Sequence, residues 1–124
     1  MLHYGYQAEF IKSLNKYERA RKAMESFWQQ HPHDPYVCSK LGALYLQIGQ
    51  TEKGLKLLKQ GLKANTADFN VLYELHYSLG NAYAKQQKIE QAVKHYQKAI
   101  AQPIIEPLKL GAYNNLGGLL QAIG

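Results

Sequence analysis

The chain has 124 residues, a formal charge of +6, 46% hydrophobic and 19% charged residues. That is enough apolar content for one packed domain and too much for a disordered tail. No apolar run approaches the roughly 18 to 20 residues that would span a bilayer, and the opening MLHYGYQAEF lacks the basic flank and apolar stretch of a secretion signal.

Taken in chain order, the sequence predicts a repeating helix pair. Residues 1–34 form a first unit, in which Tyr17 to Gln30 reads as the second helix, Ala20 as its small residue and Pro32 as the closing turn. Residues 35–68 form the next, with Leu41-Gly42 in the first helix, Gly49-Gln50 in the turn, Thr51 as an expected N-cap and Gly54 early in the second helix. Residues 69–106 repeat the arrangement with Leu79-Gly80, Gln87-Lys88 and Ala92. Asp68 is placed to cap a long helix running to Gln86. Residues 107–124 supply half a unit, Leu116-Gly117 in a single helix with Pro107 suited to its first turn. The Leu-Gly pairs are 38 and 37 residues apart, about one helical turn more than the 34 of the underlying unit, so the core face keeps its direction. Mid-helix glycine costs about 1 kcal/mol relative to alanine and is tolerated where a second backbone comes close. Gly42, Gly80 and Gly117 are therefore expected at helix crossings, opposite the small residues Gly54, Gly61, Ala92 and Ala99. The fold expected is all-α: a right-handed superhelical solenoid of antiparallel helix pairs, three and a half units and seven helices.

The pattern resembles the tetratricopeptide repeat, whose signature is an aromatic, then Leu-Gly, then Tyr, with Ala and an aromatic in the second helix and a closing Pro. Leu41, Gly42, Tyr45, Leu79, Gly80, Tyr83, Ala92, Tyr96 and Ala99 carry the likeness. Cys38 and His76 depart from it at the usual aromatic position, and Thr66 and Ile104 at the closing proline. The segment His3-Tyr4-Gly5-Tyr6, then Asn15-Lys16-Tyr17-Glu18-Arg19 and Asp34-Pro35-Tyr36, is similar to a junction in bacterial, cyanobacterial-type family-2 glycosyltransferases, where a GT-A domain runs into such repeats. That resemblance implies a segment of a larger enzyme, with Met1 as a cloning start. A free-standing adaptor is the alternative. No D-x-D motif and no strand-helix alternation occur, so no catalytic residue and no cofactor are expected within these residues.

Function is therefore sought in binding. By the repeat register the concave face should carry Lys12, Tyr36, Ser39, Gln47, Glu74, Tyr77, Asn81, Lys85, Asn114 and Gln121, with Glu9 beside them. Amides flanked by two tyrosines suit a peptide or protein partner. The clamp with which co-chaperone repeats hold a C-terminal carboxylate is missing, because the matching places carry Gly5, Glu9, Lys40, Glu74 and Ser78. Tyr17, Tyr45, Tyr83, Tyr96 and Tyr113 are read as core.

The remaining features are read as structural. The basic residues are 13 Lys and 2 Arg without a contiguous run, and the stripe Lys53, Lys56, Lys59, Lys63 reads as a solvated helix face rather than a nucleic-acid surface. His31-Pro32-His33-Asp34 has too few ligands for a metal, and none is expected. Cys38, the single cysteine, is read as buried, and the absence of an internal disulfide points to a cytoplasmic protein. The last helix is apolar on more than one side, which predicts a weak homodimer through residues 110–124.

Overall fold

The computed structural model describes the backbone of residues 3–123 and the side chains of residues 8–122. Among the described residues six α-helices follow one another: α1 (His3–Gln30), α2 (Pro35–Gln47), α3 (Thr51–Lys63), α4 (Phe69–Lys85), α5 (Ile89–Ile100) and α6 (Leu110–Ile123). A 3-10 turn at Glu106–Lys109 precedes the last. Each helix packs chiefly on its neighbours in sequence, and α4 also touches the other first helices, α2 and α6. This is a helical solenoid.

Local chemistry sets the boundaries. Asp34 caps α2, its carboxylate accepting from Tyr36 N at 2.9 Å and Val37 N at 3.4 Å, and Pro35 fits the first turn because it has no amide hydrogen to lose. Asp68 does the same for α4, at 3.0 Å from Asn70 N and 3.3 Å from Val71 N. At the other ends Gly49 (φ 87°) and Gln87 (φ 61°) adopt the left-handed conformation. The following amides close identical turns, Gln50 N to Tyr45 O at 2.8 Å and Lys88 N to Tyr83 O at 2.9 Å. Thr51 is not an N-cap: it is the first helical residue, and Gln50 before it makes no side-chain cap bond. Pro107 falls in the 3-10 turn rather than in α6.

Burial follows the small residues. A Cβ on Gly42 would stand 2.8 Å from Leu58 and 3.3 Å from the Gly54 carbonyl, so α2 and α3 cross backbone to backbone. A Cβ on Gly80 would stand 2.5 Å from the ring of Tyr96, which is buried against α4. Cys38, Leu41, Tyr45 and Leu57 form one core cluster that Met24 and Trp28 of α1 cover. A larger one runs from Leu46 and Leu58 through Leu75 and Leu79 to Ala99 and Ala112. Burial pushes the Cys38 thiol up, consistent with an unreactive packing residue.

Two expectations are corrected here. The first unit is not a helix pair: α1 is one continuous helix, which makes six α-helices among the described residues rather than seven. The positions that hold Leu41, Leu46 and Gly49 one unit later hold Gln7, Lys12 and Asn15. The straight helix keeps backbone hydrogen bonds that a hairpin turn there would break, and leaves Phe10, Ile11 and Leu14 exposed. Tyr17 and Tyr113 are not core residues. Both are exposed, because no helix packs over either one among the described residues.

Candidate peptide groove

The inner surface of α2, α4 and α6 encloses an open groove of about 710 Å³. Helical spacing aims Ala43 and Gln47 into it from α2, Glu74, Tyr77, Asn81 and Lys85 from α4, and Asn114, Asn115 and Gly118 from α6. The small residues Ala43, Ala84 and Gly118 keep it open. Six residues expected from sequence thus share one surface: Gln47, Glu74, Tyr77, Asn81, Lys85 and Asn114.

Several of them already have structural partners. The Asn81 carbonyl oxygen accepts from the Tyr96 hydroxyl and, at 2.8 Å, from the Asn115 amide, which ties α4 to both α5 and α6. Burial pushes the Tyr96 phenol up to about 12, so it is a donor throughout the physiological range. Tyr77 stacks on Tyr73 with centroids 5.7 Å apart, and its oxygen lies 3.4 Å from the Asn115 amide. The Lys85 ammonium donates to Leu46 O at 3.0 Å, satisfying a carbonyl at the end of α2. Gln47, Glu74 and Asn114 make no side-chain hydrogen bond among the described residues and present their polar atoms to the groove.

The other four expected residues lie elsewhere. Tyr36 and Ser39 line a smaller concavity of about 230 Å³ with Lys40, Asp68 and Asn70, and Glu74 joins it to the main groove. Within it Ser39 is buried, its hydroxyl donating to Tyr36 O at 2.7 Å, so a ligand meets Tyr36 and not Ser39. Lys12 sits on α1 in a separate depression with Asn15, Lys16 and Arg19, and Gln121 lines neither concavity. Both fall away from the groove: Lys12 because α1 does not fold back on itself, Gln121 because it sits near the end of α6, past the groove's last lining residues. Sequence reasoning missed Asn115. Its signal was present, since it stands one residue before Leu116-Gly117, as Ser78 does before Leu79-Gly80.

Outside the groove, the lysine stripe of α3 is partly engaged, with Lys53 over the Tyr45 ring at 5.6 Å and Lys59 over Tyr83 at 5.8 Å. No group of three or more metal-capable side chains occurs among the described residues, and none of their helices is long and apolar enough to cross a membrane.

Comparison with known proteins agrees with this geometry. The tetratricopeptide-repeat family matches residues 13–73 and, through a second description of the same repeat, residues 73–102. The chain belongs to the tetratricopeptide-repeat family. A TPR repeat-containing protein of Synechococcus elongatus is 38% identical over 122 residues, which is 98% of this chain and 30% of the relative. Tetratricopeptide repeat protein 21A of Homo sapiens is 24% identical over 98 residues, 79% of this chain and 7% of the relative. The chain thus spans less than a third of the length of either protein.

Proposed function

We propose that this tetratricopeptide-repeat chain is a non-catalytic scaffold that holds an extended segment of a partner protein in the groove of α2, α4 and α6. The observation that carries the reading is the row Gln47, Glu74 and Asn114, polar side chains left to the groove on three successive first helices. Amides both donate and accept, so they can pair with the main chain of a peptide, while the exposed face of Tyr36 offers aromatic contact at the groove's end.

At a finer level we read the chain as part of a bacterial, cytoplasmic glycosyltransferase. That reading rests on the resemblance of residues 3–36 to the segment following a GT-A domain, and a free-standing adaptor is the alternative. The His3-Tyr4-Gly5-Tyr6 side chains, which carry much of the likeness, lie outside the described residues. The sequence encoded ahead of Met1 decides between them: a D-x-D within an α/β domain favours the first, and an open reading frame without one favours the second.

A displayed library of random peptides, selected on the purified chain, tests the groove. Peptides that bind the native chain should lose roughly tenfold or more in affinity on Glu74→Lys combined with Asn114→Leu, and should bind Lys56→Glu unchanged. Binding that ignores the groove substitutions and disappears with Lys56→Glu would move the site to the convex lysine stripe.

A further inference from the structure

Four charged side chains line the two concavities: Lys40 and Asp68 the smaller, Lys85 the larger, and Glu74 both. Three of them are engaged within the chain. The Lys40 ammonium lies 5.5 Å from the centroid of the Tyr36 ring, the Asp68 carboxylate caps α4, and the Lys85 ammonium donates to Leu46 O. Glu74 is the exception. It is half-buried, and its carboxylate accepts no hydrogen bond among the described residues. It also enters none of the ion pairs found there, which join Arg21 to Glu18 and Glu25, and Lys109 to Glu106.

The surroundings of this carboxylate suit a cation. It stands where the two concavities meet, with Tyr36, 55% exposed, lining one and Tyr77, one turn along α4, lining the other. Removing a carboxylate from water without a counter-charge is costly, and the negative faces of aromatic rings favour a cation over a neutral donor. The chain does not supply that cation itself. Of its 13 Lys and 2 Arg, only Lys40 and Lys85 line either concavity. An acidic occupant would set a second negative charge against Glu74, and a wholly apolar one would bury it unpaired.

We infer that the segment held in this groove presents an arginine to Glu74, an inference that rests on the groove reading above and names the chemistry of its occupant. Arginine fits better than lysine for three reasons. Its planar guanidinium donates two parallel hydrogen bonds to one carboxylate, it stacks on tyrosine rings, and its weaker hydration lowers the cost of entering a half-buried site. The groove then divides its work. The amides of Gln47 and Asn114 pair with any main chain and so hold peptides in general. Glu74 chooses among them, because only a segment with the right charge at that point satisfies it.

Peptides from the random displayed library test this. Those selected on the native chain should share an arginine. In one such peptide, replacing that arginine by citrulline, a neutral residue of the same shape, should weaken binding about tenfold. Glu74→Gln should weaken the arginine peptide by about the same factor, and citrulline should cost little more on that variant, because the pair is already broken. No group in the fold bonds to the Glu74 carboxylate, so Glu74→Gln should fold as the native chain does, which helicity and melting temperature check. Selected peptides without a shared arginine, or a citrulline loss equally large on Glu74→Gln, would overturn the inference. Asn114→Leu separates it from the reading beneath. Binding lost on Asn114→Leu but untouched by Glu74→Gln keeps the groove and removes the arginine anchor. Binding untouched by both, or a selection that returns no peptide, removes the groove reading and the inference with it.

Discussion

The His76 and His95 side chains meet across α4 and α5 with their Nδ1 atoms 3.1 Å apart, one donating to the other. His95 also stacks on Tyr83, with Lys59, Lys94 and Lys98 close by. Burial first, then His76 and these lysines, holds His95 down to about 4, and burial followed by Lys98 lowers His76 as well. Both groups take up a proton more readily in the unfolded chain, near the ordinary 6.5. The stability they contribute is complete above that value and is lost as the pH falls from about 6.5 towards 4. Allowing for partial solvent exposure, the loss should be about 1 to 2 kcal/mol. Urea unfolding at pH 7 and pH 4.5 measures it, and His95→Gln should flatten the difference. An equal pH dependence in the variant would assign the effect to other groups.

Among the helices, the same Leu-Gly signature has opposite energetic meaning at its two ends. At Gly80 a methyl group would overlap the buried ring of Tyr96, so Gly80→Ala should cost about 1 to 3 kcal/mol. At Gly117 the space is open, and Gly117→Ala should gain about 0.5 to 1 kcal/mol from helix propensity. Denaturant unfolding of the two variants at low concentration gives both signs, and a loss at Gly117 would mean that α6 is already covered. The sequence made the crossings at Gly42 and Gly80, the caps at Asp34 and Asp68 and the turns at Gly49 and Gln87 legible, because each depends on a residue type at a fixed offset. It misplaced the first unit because register was carried past the residues that make the turn: Asn15 stands where Gly49 turns the chain, and Lys12 where Leu46 packs on Gly54. Six groove residues were legible as a helical face. The inward turn of Ser39 and the commitment of Asn81 to Tyr96 were not, since hydrogen-bond partners on other helices have no local signature.

Across the whole molecule, stability in a solenoid is close to a sum over units and the contacts between neighbours, so it need not be uniform. α4 is flanked by α2, α3, α5 and α6 and buries residues on every turn, from Val71 to Tyr83. The first half of α1 is the opposite case: residues 8–19 are all exposed. An unsupported helix of that length is marginal in water, since nucleation is costly and side-chain packing supplies most helical stability. Amide hydrogen exchange should therefore show a gradient. Amides of α4 should exchange only through global unfolding, those of α3 and α5 nearly as slowly, and those of residues 8–16 by local fraying, orders of magnitude faster. If residues 8–16 were instead as protected as α4 in dilute solution, α1 would have to be folded back on itself as a closed pair, and the straight helix would not be the solution form.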